Sequence, residues 1–251
     1  MTGDVVVRAS VAPMHAEARV SSVQISQRLA GHVVTVLSNE GDWMRVRGED
    51  GYEGWMHRGY VGTEPTHLTP VDRRLSLGCV ARGSAGIRAF PLGAWVDGGE
   101  MVVNGYAIDE AARADTFPRA AAAIVATAVD RFAGTPYQWG GVSPWGADCS
   151  GLVQTAFWLH GISLPRDAWQ QADAGRDAGT TLSAFQPADL LFFSDRPDRR
   201  ITHVGIALGG ARMVHLALGR GGYAVERLDD TSDAYVTALT GRFISARRVL
   251  G

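Results

Sequence analysis

Pro136-Tyr-Gln-Trp-Gly-Gly-Val-Ser-Pro-Trp-Gly-Ala-Asp-Cys-Ser-Gly-Leu-Val153 is the stretch on which the reading of this chain turns. A glycine-rich loop runs into Cys149, and apolar residues then recur at 152, 153, 156, 157 and 159 until Gly161. That is the period of one helix face with a glycine stop, so the spacing predicts a helix over 149–160 with Cys149 in its first turn. Unpaired N–H groups at a helix start lower a thiol's pKa and can also hold an oxyanion. Taken alone, such a cysteine is more often a small buried apolar residue.

Downstream, the chain changes period. Asp189-Leu-Leu-Phe-Phe193, Thr202-His-Val-Gly-Ile-Ala-Leu208, Arg212-Met-Val-His-Leu216 and Tyr223-Ala-Val-Glu-Arg227 read as short strands separated by glycine-rich turns. The turn Gly209-Gly-Ala211 makes the second and third of these antiparallel neighbours, which brings His203 and His215 within hydrogen-bonding reach. A nucleophile, a base and a group that orients the base form the pattern of triad catalysis. Each histidine by itself could equally be a satisfied core residue; the three together carry the inference. Helices followed by an antiparallel meander predict an α+β domain.

Upstream, the chain reads as β. Val33-Val-Thr-Val-Leu37 and Trp43-Met-Arg-Val-Arg47 flank the turn Asn39-Glu-Gly-Asp42, and Asp50-Gly-Tyr-Glu-Gly-Trp-Met-His57 adds a further turn and strand. Short strands at this spacing predict a small barrel, with Trp43 and Trp55 in its core. Residues 66–112 read as a second, weaker copy. Arg119-Ala-Ala-Ala-Ala-Ile-Val-Ala-Thr-Ala-Val-Asp-Arg-Phe132 is then a helix, with Pro118 in its first turn and Gly134 as its stop.

Composition narrows the function. The 251 residues carry a formal net charge of −2, which gives no broad nucleic-acid or anionic-membrane surface. No apolar run is long enough to span a bilayer, and the N-terminus lacks a basic region followed by an apolar one, so a cytoplasmic protein is expected. Two cysteines make neither a disulfide framework nor a cysteine-rich zinc site. Cys79, in Leu75-Ser-Leu-Gly-Cys-Val80, reads as a core residue.

The sequence Asp-Cys-Ser-Gly at 148–151, Leu-Pro-Arg-Asp at 164–167, Pro187-Ala-Asp-Leu-Leu-Phe-Phe193 and His-Val-Gly-Ile at 203–206 resembles the NlpC-type cell-wall cysteine peptidases. The Gly-Asp-Trp-Met-Arg-Val and Gly-Tyr-Glu-Gly-Trp-Met segments resemble bacterial SH3-like domains. The resemblance implies an α+β papain-like NlpC-type catalytic domain over 114–251, preceded by two small all-β SH3-like barrels over 1–65 and 66–113. It implies Cys149 as nucleophile, His203 as general base and acid, His215 as third member, and the Tyr137 hydroxyl as an oxyanion donor. No cofactor or metal is expected.

Barrels ahead of such a domain resemble the γ-D-glutamyl-diamino acid endopeptidases of murein peptide recycling. The substrate implied is a murein peptide with a free N-terminal L-Ala, from which L-Ala-γ-D-Glu is released by a monomer. Ala12-Pro-Met-His-Ala-Glu17 and Asp50-Gly-Tyr-Glu-Gly-Trp55 resemble the segments that supply substrate contacts, here Glu17 and Tyr52. An ammonium in a partly desolvated cleft needs a compensating carboxylate, and Glu17 and Asp148 are the candidates. Trp139 is expected against the apolar stem of the substrate, with Ser150 and Asp167 toward the D-glutamate carboxylate. Where the family pattern has a serine after Arg-Asp, this chain has Ala168, one donor fewer.

Three other readings stand beside this one. One is a hydrolase or amidase of intact peptidoglycan, or another acyl-transfer enzyme with the same triad. Another is a non-catalytic protein that binds wall peptides. The last is a zinc site built from Cys149, His203 and His215.

Overall fold

The computed structural model describes residues 3–62, 72–84 and 86–250. The chain divides into two compact units, Met1–Thr116 with Trp139–Ser143, and Phe117–Gln138 with Pro144–Gly251. The expected boundary between the two barrels, at 65/66, lies outside the described residues. The division between the units follows Thr116, a few residues beyond the expected 113.

In the first unit, β1 (Gly3–Val7), β2 (Val11–His15), β3 (Gln24–Leu29), β4 (Val33–Glu40), β5 (Trp43–Gly48), β6 (Glu53–His57) and β7 (Val61–Gly62) form an antiparallel sheet ordered β3-β2-β6-β5-β4-β1-β7. The 43–48 strand alternates strictly, so Met44 and Val46 point inward with Met56 of the neighbouring strand to join the core of Val5, Met14 and Val34. The same period puts Trp43 and Trp55 on the other face, half-buried, so they are not the core residues expected of them. There Trp43 stacks edge-on against His15 and His57.

A second sheet comprises β8 (Arg74–Gly83), β9 (Gly86–Phe90), β10 (Trp95–Val96) and β11 (Met101–Asp109), with β8 paired to the other three. Its core, including Cys79, Ala81 and Phe90, also takes in Leu29 and Ala30 from the end of β3, so the two sheets share one apolar cluster. The short helix α1 (Arg113–Thr116) follows. β12 (Val142–Ser143) also belongs to this unit: the Val142 N–H donates to Gln27 Oε1 at 3.3 Å, and Gln24 Nε2 donates to the Trp139 carbonyl at 2.8 Å.

The second unit opens with α2 (Ala121–Phe132). Its N-cap is Ala120, so Pro118 lies outside the helix rather than in its first turn, and its carbonyl pairs with His160 Nδ1 at 2.6 Å. Gly134, at φ 77°, supplies the left-handed stop. After β13 (Gly146–Ala147) comes α3 (Cys149–Leu159), which is buried nearly all round. Its polar positions are satisfied inside, as where Gln154 Nε2 donates to the Leu164 carbonyl at 3.1 Å. α4 (Ala168–Gln171), β14 (Arg176–Asp177), β15 (Leu190–Phe193), β16 (His203–Gly209), β17 (Arg212–Ala217), β18 (Gly222–Arg227), α5 (Ala234–Thr240) and β19 (Phe243–Arg248) complete it. The sheet order is β14-β19-β15-β16-β17-β18. The meander read from the sequence is therefore β15 to β18, and the last strand returns to pair with β15 on the other side. Among the described residues no helix is long and apolar enough to cross a membrane.

Candidate active site

Three consecutive residues organise the start of α3. Asp148 caps the helix, its Oδ1 accepting the Gly151 N–H at 2.8 Å. Its charge is buried and is met by Arg166, which is 1% exposed: Nη1 donates to Oδ1 at 3.0 Å and Nη2 to Oδ2 at 2.7 Å. Ser150 Oγ closes the group, donating to Asp148 Oδ1 at 3.2 Å and accepting from Arg166 Nη1 at 2.9 Å. Gln171 holds the next layer, its Nε2 donating to the Ser150 carbonyl at 3.1 Å. The helix that presents Cys149 is thus fixed by a neutralised ion pair with its lone pairs and donors in use.

Cys149 is buried. Burial, and after it the Asp148 charge, push its thiol up to about 12, against hydrogen bonds from the backbone of Val204 and Ser150 that pull it down. The helix start does act in the expected direction, but desolvation outweighs it and the thiol is raised rather than lowered. The Val204 bond also ties the sulfur to the strand residue that follows His203.

His203 opens β16 and His215 lies in the middle of β17. The structure brings them together: His203 Nε2 and His215 Nδ1 are 2.8 Å apart. Burial first, then the neighbouring His215, push the His203 imidazole below its ordinary value. The residue keeps part of its surface exposed, so the push is weaker than full burial would give. His215 is fully buried, and its Nε2 faces Glu226 Oε1 of β18 at 3.4 Å. Both ring nitrogens of His215 are therefore engaged, so it has no lone pair to spare for a zinc ion shared with Cys149 and His203. Among the described residues no group of three His, Cys, Asp or Glu side chains is arranged as a metal site.

Tyr137 is half-buried, and its hydroxyl is raised by burial and then by the Cys149 and Asp148 charges. Its backbone is held by its N–H, which donates to the Gly221 carbonyl at 3.0 Å, and by an antiparallel bridge between Pro136 and Gly222. Gly222 sits at φ 152°, and a Cβ there would meet the Thr135 carbonyl oxygen at 2.2 Å and the Pro136 Cα at 2.9 Å. Only glycine lets the two segments approach this closely.

Cys149, His203, His215, Tyr137, Asp148, Ser150 and Asp167 all lie in the second unit. Asp167 is the N-cap of α4, its backbone N–H donating to Gln170 Oε1 at 3.3 Å. Glu17, Tyr52 and Trp139 lie in the first. Glu17 is exposed and pairs with Arg19 at 2.6 Å. The Tyr52 N–H donates to Asp50 Oδ1 at 3.0 Å while its side chain packs on the first core, and Trp139 is 61% exposed.

Sequence reasoning missed Glu226. A signal was present: in Tyr223-Ala-Val-Glu-Arg227 the strand turns Val225 outward, 39% exposed, and buries the glutamate. A charge in the inward phase of a strand that neighbours a histidine strand is unusual without a partner.

Residues 134–240 match the NlpC/P60 family and residues 10–62 match the bacterial SH3 domain. The chain is 31% identical over 233 residues to the gamma-D-glutamyl-L-lysine dipeptidyl-peptidase of Bacillus subtilis (strain 168), spanning 84% of this chain and 77% of that protein. The chain belongs to the NlpC/P60 family. A second relative, the protein of the same name from Bacillus cereus (strain ATCC 10987 / NRS 248), is 28% identical over 90% of this chain and 75% of its own length. A crystal structure of an NlpC/P60 family protein from Bacillus cereus ATCC 10987 superposes with a TM-score of 0.81 at 19% identity, covering 99% of this chain and 100% of that one. The fold is thus an SH3-like all-β region followed by a papain-like NlpC/P60 domain, and the chain is a peptidase of this family.

Proposed function

We propose that this peptidase hydrolyses the γ-D-glutamyl-diamino acid bond of murein peptides with a free N-terminal L-Ala and releases L-Ala-γ-D-Glu. It acts as a monomer, in the cytoplasm, on peptides already detached from glycan. The observation that carries this reading is the 2.8 Å pairing of His203 with His215 beside a helix-start cysteine. It occurs in a chain that matches two proteins named gamma-D-glutamyl-L-lysine dipeptidyl-peptidase over 84% and 90% of its length.

The site starts as a neutral thiol and a neutral imidazole, since burial disfavours both charged forms. As the Cys149 sulfur bonds to the amide carbon, its proton passes to His203. The resulting imidazolium keeps its Nε2–H on His215 Nδ1. The oxyanion takes hydrogen bonds from the Cys149 backbone N–H and the Tyr137 hydroxyl. His203 then protonates the departing amine of the diamino acid as the C–N bond breaks. It next takes a proton from the water that opens the thioester, and free Cys149 is restored.

Recognition of the substrate ammonium by Glu17, Tyr52 and Asp148 belongs to the proposal. So does recognition of the apolar stem by Trp139 and of the D-glutamate carboxylate by Ser150, which must turn its one hydroxyl proton from Asp148 to the substrate; Asp167, a carboxylate that caps α4, has no side-chain donor to offer there. Asp148 contributes less net charge than its sequence suggests, because Arg166 already neutralises it.

The test is a mass-spectrometric digest of L-Ala-γ-D-Glu-diaminopimelate beside intact murein sacculi, with the unmutated protein and Cys149→Ala. Release of L-Ala-γ-D-Glu from the free peptide alone, abolished in the variant, is expected. Peptides released from sacculi would replace this reading with that of a wall hydrolase. Cleavage of neither would favour a binding protein.

A further inference from the structure

The triad does not end at His215. Glu226 is buried in β18 and presents Oε1 to His215 Nε2 at 3.4 Å. Arg220 holds the same carboxylate from the other side, its Nε donating to Oε1 at 2.7 Å and its Nη2 to Oε2 at 3.0 Å. Arg220 is itself anchored by Asp233, the N-cap of α5, and lies over the Tyr235 ring at 4.3 Å. Tyr235 in turn packs edge-on against His215, with ring centroids 6.1 Å apart. The carboxylate is thus clamped in place and His215 is walled in around it.

This arrangement decides which nitrogens carry protons. A neutral imidazole has one N–H and one lone pair. If the proton of His215 sat on Nδ1, its Nε2 lone pair would face the Glu226 carboxylate, a repulsive contact in a buried site. With the proton on Nε2 the contact becomes N–H to carboxylate, and Nδ1 is left as an acceptor. At 2.8 Å from that acceptor, His203 Nε2 must be the donor. The remaining nitrogen of His203, Nδ1, then holds the lone pair that a general base needs. The opposite choice would protonate Nδ1 of His203 and leave it unable to take the thiol proton.

We propose that Glu226 is a positioning residue for catalysis: acting through His215, and held by Arg220, it fixes the tautomers of both histidines so that His203 Nδ1 is the base. The proposal rests on the peptidase mechanism given above, but the protonation it assigns is measurable without turnover.

The first measurement is long-range proton–nitrogen NMR of histidine side chains in the unmutated protein at neutral pH. His215 is expected as the Nε2–H tautomer with an unprotonated Nδ1. Observing its Nδ1–H form or its imidazolium would overturn the proposal. The second is steady-state kinetics of Glu226→Ala and Glu226→Gln, each checked for folding by circular dichroism. Glu226→Ala is expected to lower kcat by about 10- to 100-fold with KM held within about twofold, and to release His215 into mixed tautomers. Glu226→Gln should lose less of kcat than Glu226→Ala, because its amide oxygen can take the Oε1 place addressed by both His215 and Arg220, although its amide nitrogen then forfeits the Arg220 Nη2 bond to Oε2. An unchanged kcat in Glu226→Ala, or equal losses in both variants with the His215 tautomer unaltered, would overturn the assignment. If the unmutated protein cleaves no murein peptide at all, the functional reading fails while the NMR result still decides the tautomer.

Discussion

Arg166 holds Asp148 through two parallel hydrogen bonds, at 3.0 and 2.7 Å, immediately before the nucleophile. The pair does two jobs: it lets a carboxylate cap α3 inside the protein, and it offsets a negative charge that would otherwise oppose thiolate formation at Cys149. Removing the arginine leaves the carboxylate buried without its partner. Arg166→Met is therefore expected to destabilise the protein by about 3–5 kcal/mol in urea unfolding. A loss below about 1 kcal/mol would mean that water reaches Asp148 and replaces the arginine.

Tyr137 and Gly222 form a matched pair of tests. Tyr137→Phe keeps the ring and removes only the hydroxyl, so stability should hold while kcat falls by about 10²–10³, the usual loss for one oxyanion donor. Gly222→Ala leaves every side chain of the site intact but places a methyl 2.2 Å from the Thr135 carbonyl oxygen. The 135–137 segment must then move, and activity should drop with Tyr137 still present. Full activity in Tyr137→Phe would remove the hydroxyl from the mechanism, and full activity in Gly222→Ala would show that its placement is not critical.

The raised Cys149 thiol and lowered His203 imidazole set the expected pH behaviour. With the thiol near 12, its neutral form prevails at pH 7, and the stability gained by burying it neutral is lost as pH climbs from the ordinary thiol value, near 9, toward 12. A His203 pushed down contributes stability above its ordinary value, near 6.5, that is lost as pH falls below it. Iodoacetamide alkylation of Cys149, followed in a Cys79→Ala background, should accelerate with pH through 9 without levelling off. A plateau already reached below pH 7 would show a preformed thiolate–imidazolium pair instead.

The parts of this architecture with strong local signals were legible in the sequence. The 149–159 helix and the four meander strands fall within a residue or two of their expected bounds, because glycine stops and apolar periodicity mark them. β19 and α5 were not read: Phe243-Ile-Ser-Ala-Arg-Arg248 buries only Ala246, so its pattern carries no core signal, although Asp233 marks the helix start. Trp43 and Trp55 were assigned to the core by residue type, when the strand period puts the methionines there. The Cys149 thiol is raised where the local sequence predicts lowering, because a helix start acts locally and burial does not. Glu226 is not legible because its significance depends on how β17 and β18 pair: the register sets it opposite Met213, two residues from His215 on the same face of the sheet.

Glu17 offers the sharpest test of substrate choice. Its carboxylate is exposed and pairs with Arg19 at 2.6 Å, and an exposed pair of this kind is worth about 0–1 kcal/mol. An incoming ammonium can therefore recruit it at little cost. A hydrogen bond to a charged group contributes about 1.5–3 kcal/mol, or roughly 10- to 100-fold in kcat/KM at 1.4 kcal/mol per decade. Glu17→Ala should lower kcat/KM for L-Ala-γ-D-Glu-diaminopimelate by that factor and leave the melting temperature unchanged. The N-acetylated peptide, which has no ammonium to recognise, should be a poor substrate of the unmutated protein and nearly indifferent to the substitution. The ratio of the two substrates is thus the decisive quantity: a ratio near one before mutation, or one that Glu17→Ala does not narrow, would eliminate Glu17 as the amine's partner while leaving Cys149, His203 and His215 untouched.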